Sequence, residues 1–253
     1  MLLTRSLRPL LTCCFALLYG CTSSALHADE AVSPAENELF QIAFVMALKE
    51  SIAPYIQGPA NLMIRLKIVI NREGRPLSCK ARLPTPSVPV QQTEPPPDAD
   101  MNELIKVAER VCLQAVYPRA PAALYDKRGR LEINAPIRVN VQSGTIADSV
   151  RESLRQQFFR RHLFAHERVD SIGTALVRYK SDRTGRIQSC LVELIPTAVR
   201  PNSFRMDRAL EKRLSQSCMK LDLSRMPGFA LNQQQQAEGM ISLQYAPWVV
   251  GRP

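Results

Sequence analysis

Gly74-Arg75-Pro76-Leu77-Ser78-Cys79 returns 111 residues later as Gly185-Arg186-Ile187-Gln188-Ser189-Cys190. Ala135-Pro136 and Ala246-Pro247 stand at the same spacing, whereas Cys112 and Cys218 are 106 residues apart. The five-residue difference falls where the first copy carries the Pro-rich run Pro84 to Asp100. A repeat of this period means one folding unit present twice. The chain of 253 residues has room for both copies as small domains.

Working outward from the hexapeptide, each copy reads helix, strand, strand, helix, strand. Ala35 to Ile52 is a helix candidate, and Leu39 to Leu48 within it is expected to be a buried core segment. Leu62, Ile64, Leu66, Ile68 and Ile70 alternate with Met63, Arg65, Lys67 and Val69, the period of a strand with one wet face. Asn71 to Gly74 supplies a hairpin turn. The return strand is expected to put Leu77, Cys79, Ala81 and Leu83 on one side. Met101 to Ala115 carries Leu104, Ala108 and Cys112 on one helical stripe, and Glu132 to Val141 closes the unit. Pro136 cannot donate to a ladder, which places that strand at an edge or a bulge. In the second copy, Asp148 to Phe164 is the lead helix and Thr174 to Lys180 the first strand. Cys190, Val192 and Leu194 then share a strand face, and Leu210, Leu214 and Cys218 a helix stripe. Gln233 to Gln236 reads as a solvated loop.

The first twenty residues read as an address. Arg5 and Arg8 precede an apolar run from Pro9 to Tyr19, the pattern of a secretory signal peptide over residues 1–20. That run falls short of the ~20 residues of a membrane span. It ends in Leu18-Tyr19-Gly20-Cys21, which resembles a bacterial lipobox with Cys21 as the lipidated residue. Cleavage after Ala25, giving a soluble periplasmic protein, is the alternative. Thr22 follows Cys21 instead of Asp, so outer-membrane attachment facing the periplasm is expected. Residues 21–34 are then a linker, 35–143 the first module and 145–253 the second. Of seven cysteines, Cys13 and Cys14 leave with the leader and Cys21 takes lipid. In an oxidising envelope the other four are expected as two disulfides, Cys79–Cys112 and Cys190–Cys218.

The helix before a strand-turn-strand hairpin, the Arg-x-Gly turn, the Ser-Cys, the second helix and the closing strand resemble the C-terminal domains of the TonB and TolA envelope proteins. Asn134-Ala135-Pro136-Ile137 is especially similar to the TolA version. The resemblance runs from about Ala35 to Val250. It implies an α+β fold: two tandem small domains, each with helices packed on a three-stranded antiparallel sheet. It also implies a sheet edge that takes a strand from a partner, with no catalytic residue and no cofactor. On that basis Ile137, Val139, Val141, Leu243 and Tyr245, on the last strand of each module, are the candidate partner-binding residues. The chain lacks the membrane helix and long linker of an energy transducer, so transduction is not carried over. The expected function is an adaptor for a periplasmic or outer-membrane protein, in TonB/Tol-type transport or envelope integrity.

Other chemistry finds little footing. His162 and His166 lie four apart without a zincin Glu or a third ligand, so no metal is expected. Asp207 and Glu211 are interleaved with Arg208, Lys212 and Arg213, the company of solvated salt partners. No phosphate loop or Ser-centred elbow exists, so an enzyme with a small-molecule substrate is not expected. The formal charge is +10, with 14 Lys+Arg against 13 Asp+Glu in residues 21–144 and 17 against 10 in residues 145–253. Arg151, Arg155, Arg160 and Arg161 around Phe158-Phe159 are a candidate basic face, or else belong to a helix whose phenylalanines enter the core while its arginines stay wet. An alternative function follows: a structural protein whose second module binds anionic lipid or cell-wall polymer. Export and few aromatics disfavour nucleic acid.

Overall fold

A computed structural model describes residues 32–52, 62–83, 100–139 and 145–250. Its elements run α1 (Pro34–Ile52), β1 (Leu62–Asn71), β2 (Pro76–Arg82), α2 (Met101–Gln114) and β3 (Arg130–Val139), then α3 (Thr145–Phe164), β4 (Gly173–Ser181), β5 (Ile187–Ile195), α4 (Arg208–Cys218) and β6 (Ala237–Tyr245). The fold is α+β, with two three-stranded antiparallel sheets ordered β2-β1-β3 and β5-β4-β6. Helices cover one face of each sheet.

Local chemistry explains where the elements start and turn. Ser33 and Glu36 form a reciprocal capping box at the head of α1: the Glu36 N–H donates to Ser33 Oγ at 3.2 Å and the Ser33 N–H to Glu36 Oε2 at 3.3 Å. Asp100 caps α2 by accepting from the Asn102 and Glu103 N–H groups, and Asp207 caps α4 by accepting from Leu210 N–H. Asn71 Oδ1 accepts from the N–H groups of Glu73 and Arg75, and Asp182 Oδ1 does the same for Thr184 and Arg186. Each turn ends in a glycine with positive φ, +71° at Gly74 and +85° at Gly185. A Cβ at Gly74 would lie 2.6 Å from the Tyr117 carbonyl, and one at Gly185 would strike the Ser224 backbone. Left-handed backbone and close approach both require glycine here.

Each module has its own core. Ile64, Leu66, Ile68 and Ile70 pack under α1 and α2 in the first. Val177, Tyr179, Val192, Leu194 and Phe159 pack with Leu210 and Leu214 in the second. The expected cysteine pairs are both bonded, Cys79–Cys112 and Cys190–Cys218, with Cα separations of 6.1 and 6.0 Å. Each bridge pins a helix to the second strand of its sheet. A small apolar cluster of Val116, Ile172 and Ala246 lies where the modules meet. Arg200 closes the junction, donating to the Glu73 carbonyl at 2.7 Å with its guanidinium over the Trp248 ring.

Three expectations need correction. Val69 pairs with Ser78 and Ile70 with Pro76, so a bulge expels Leu77 from the ladder and leaves it exposed. Leu83 lies past the strand end and is also exposed, so neither belongs to the core face with Cys79 and Ala81. Leu39 to Leu48 is only half a core segment: Phe40, Phe44, Ala47 and Leu48 are buried, but Leu39, Ile42, Val45 and Met46 are 48–67% exposed. The repeat spacing also changes. Ile68 pairs with Ile133 where Tyr179 pairs with Gly239, so β3 and β6 correspond at 106 residues, like Cys112 and Cys218. The 111-residue match of Ala135-Pro136 to Ala246-Pro247 is therefore coincidental. Ala135 corresponds to Ile241, and Ala246 lies beyond β6.

Candidate partner-binding edge

Two three-stranded sheets have four outer edges, and each exposes unpaired backbone groups unless something covers them. The edge of β2 is covered by its own helix: Glu109 Oε1 on α2 accepts from the Ala81 N–H at 3.0 Å. The edge of β5 is covered in the corresponding way by α4. Ser215 Oγ accepts from Val192 N–H at 3.1 Å, and Glu211 Oε2 from Leu194 N–H at 3.2 Å. Glu211 and the capping Asp207 thus have structural duties.

The edge of β6 is occupied at one end. Arg160 Nη1 donates to the Gln244 carbonyl at 2.7 Å, and Gln244 Oε1 accepts from the Val116 N–H of the first module at 3.0 Å. The first of these bonds also shows which residues face outward. The Gln244 carbonyl points away from β4, and so do the backbone groups of Ser242, Met240 and Glu238, since alternate residues share a direction. The corresponding residues of β3 are Glu132, Asn134, Pro136 and Arg138. The first hairpin gives the same parity. Asn71 N–H bonds to the Arg75 carbonyl on the β2 side, so Ile70, Ile68 and Leu66 direct their backbone groups to odd-numbered residues of β3.

Among the described residues no side chain bonds to the outward backbone groups of β3, and its edge is flanked by a groove. Between α1 and β3 lies a cleft of about 780 Å³. Phe40, Phe44, Val45 and Leu48 form its helical wall, and Leu131 to Arg138 its strand wall. Asn37, Gln41 and Lys49 on the helix and Glu132, Asn134 and Arg138 on the strand supply its polar groups. Phe44 is held by stacking on the fully buried Tyr117 at 5.0 Å between ring centroids, and burial pushes the Tyr117 phenol well above its ordinary value. Pro136 interrupts the outward donors, so an added strand finds four outward carbonyls, from Glu132 to Arg138, and three outward N–H groups.

The expected edge strands are thus edges, but the expected side chains are not the contact residues. Ile137 and Val139 are 9% and 3% exposed, and Leu243 and Tyr245 are fully buried. Their apolar character serves the core, because side chains whose backbone bonds to the neighbouring strand lie on the helix-covered face here. Val141 lies outside the described residues, as does Cys21. The groove wall on α1 is an addition to the sequence-based expectation. Its signal is present in Leu39 to Leu48, which is apolar around the whole helix when a surface helix needs only one such stripe.

The four arginines of α3 do not form one face. Arg155 turns inward to the Tyr179 hydroxyl at 2.7 Å and pairs with Glu152, and Arg160 is bound to the Gln244 carbonyl. Arg151 is exposed and pairs with Asp148, and Arg161 is exposed on another side of the helix. Phe159 is fully buried. His162 and His166 are both exposed, and His162 Nδ1 lies 2.7 Å from the Phe158 carbonyl. Among the described residues no group of three or more His, Cys, Asp or Glu is placed to hold a metal ion, and no helix is long and apolar enough to cross a membrane. Comparison with family models, with curated proteins and with solved structures returns no match.

Proposed function

We propose that the protein is a non-catalytic adaptor of the bacterial cell envelope that takes an extended segment of a partner protein onto the free edge of β3. The observation that carries this reading is the contrast between the edges. Helix side chains cover β2 and β5, and the junction ties down one end of β6, while β3 borders an apolar groove. Main-chain bonds to β3 would supply affinity, and alternate side chains of the incoming strand would enter the groove beside Phe40, Phe44 and Leu48. The exposed stripe Leu39, Ile42, Val45 and Met46 extends the apolar surface available to that partner. Export, lipid attachment at Cys21 on the outer membrane and the likeness to TonB and TolA C-terminal domains belong to the same reading. The partner is then a periplasmic or outer-membrane protein of TonB/Tol-type transport or envelope maintenance. Two disulfides support an oxidising compartment.

The test uses Asn134→Pro. Its N–H faces away from β1, so the substitution removes an edge donor and leaves the β1–β3 ladder intact. A photocrosslinker at Glu132 should capture one envelope protein from membranes, and Asn134→Pro should abolish that product with the melting temperature nearly unchanged. Undiminished capture of the same protein by a folded Asn134→Pro chain would overturn the reading. Mass spectrometry of the product also shows whether Cys21 carries lipid.

A further inference from the structure

The face of the first sheet away from the helices carries a concentration of charge that the fold does not require. Arg65, Lys67, Lys80, Arg82 and Arg138 are all exposed on it. Strand register sets Arg65 directly opposite Arg82 and Lys67 directly opposite Lys80. Like charges in directly opposed positions repel across a ladder. Glu132 answers Lys67 alone, at 2.8 Å, and among the described residues no carboxylate is paired with the other four cations.

The second module serves as an internal control. Its corresponding residues are Leu176 for Arg65, Arg178 for Lys67, Leu191 for Lys80, Glu193 for Arg82 and Gln244 for Arg138. Four of the five cations are therefore absent from an otherwise equivalent sheet, and Arg178 there is opposed to Leu191 with Glu193 beside it. The same architecture forms without the cluster. Whole-module charge points the other way, since the second module has the larger excess of Lys+Arg. Structure locates the contiguous cationic surface on the nearly neutral module.

We infer that the open face of the β2-β1-β3 sheet is a docking surface for anionic phospholipid headgroups. The face is a broad sheet surface, suited to a planar array of phosphates. Among the described residues it carries no aromatic side chain, which leaves no platform there for stacking bases. Its long Lys and Arg stems and Met63 can lie along the interface while the charges meet phosphate. An oxidising compartment, which the two disulfides support, is bounded by a membrane whose anionic headgroups are such a polyanion. This inference is separable from strand docking at β3: Arg138 and Glu132 border both surfaces, but Lys80 and Arg82 on β2 do not line the groove.

The test is cosedimentation of the full-length chain with phosphatidylglycerol vesicles, with phosphatidylcholine vesicles as the reference for any apolar contribution of the N-terminal region. Binding should favour phosphatidylglycerol and fall steeply as salt is raised. Each Lys or Arg near an anionic surface is worth about a fivefold change in partition. Lys80→Gln with Arg82→Gln should therefore weaken binding roughly thirtyfold, while Arg151→Gln with Arg161→Gln leaves it within about twofold, with both proteins melting as the parent does. Equal binding to the two lipids, or an unchanged partition for the Lys80/Arg82 variant, overturns the inference. So does binding to soluble polyglutamate with none to phosphatidylglycerol vesicles, which would make the face a site for an acidic protein. Loss of vesicle binding would leave crosslinking at Glu132 unaffected, so the two proposals fail separately.

Discussion

The Val116 N–H, at the end of the first module's second helix, donates to the side-chain carbonyl of Gln244 on the outermost strand of the second module at 3.0 Å. Val116 is fully buried, and Ser51 Oγ reaches the same oxygen at 3.4 Å. One amide thus serves two donors from the other module. Gln244→Ala should leave a buried N–H without an acceptor, at a cost of about 1–3 kcal/mol. Urea denaturation should show that loss, and amide exchange should be faster at Val116 than at Ile68 in the sheet core. Unchanged exchange at Val116 would mean the junction is held by Arg200 and the apolar cluster without this bond.

The two disulfides enclose loops of 33 and 28 residues. Chain-entropy reasoning gives each about 3–4 kcal/mol. Cys79→Ala with Cys112→Ala should cost the first module about that amount, and Cys190→Ala with Cys218→Ala the second. Denaturation followed separately in each module, by the amide signals of Ile68 and of Val177, would resolve the two losses. A loss below about 1 kcal/mol in either would show that helix packing alone fixes that helix to its sheet.

The paired hairpins predict different acid sensitivity. Asn71 organises the first turn with a neutral amide, while Asp182 organises the second with a carboxylate. The Thr184 hydroxyl, and then the Thr184 and Arg186 N–H groups, hold the Asp182 carboxyl below the ordinary carboxylate range. A folded-state value lowered in this way stabilises the turn above the unfolded value, near about 3.9. That contribution disappears as pH falls through the lower folded value. Carboxyl carbon titration by NMR should place the Asp182 midpoint below that of free aspartate. Acid should loosen the β4–β5 turn before the β1–β2 turn, and Asp182→Asn should remove the difference. A midpoint at or above about 3.9 would contradict the geometry.

Much of the fold is legible in the sequence because its signals are local. Alternation from Leu62 to Ile70, the turn at Asn71 to Gly74 and the inward cysteines each follow from a few neighbouring residues. What is not legible is set by contacts distant in sequence. Leu77 fits the alternating pattern, but the bulge opposite Ile70 displaces it. Ala246-Pro247 copies Ala135-Pro136 in letters, yet strand pairing fixes the true correspondence at Ile241 and Ser242. At the candidate site, Pro136 marks an edge strand by itself. Leu243 and Tyr245 look like contact residues in the sequence, because their burial depends on which face the helices cover. The cationic face is hidden for a related reason. Alternation puts Arg65 and Lys67 on the wet face of their strand. That Arg82 lies opposite Arg65 and Lys80 opposite Lys67 follows only from the register, which the bulge at Leu77 shifts.

Pro136 has a further consequence for the free edge. Its ring nitrogen faces outward midway along β3, at the position Ser242 takes in β6. An open edge beside an apolar groove invites pairing with a second copy, and proline is one of the devices that discourages it. Pro136→Ala restores one donor without disturbing the bonds to β1. One additional hydrogen bond is worth about 0.5–1.5 kcal/mol net, or roughly two- to twelvefold in a dissociation constant. Sedimentation velocity should therefore show stronger self-association for Pro136→Ala than for the parent chain. Asn134→Pro added to it should reverse the gain, because self-pairing and partner capture draw on the same edge. If Pro136→Ala stays as monomeric as the parent at every concentration, the outward donors of β3 are not accessible to an incoming strand.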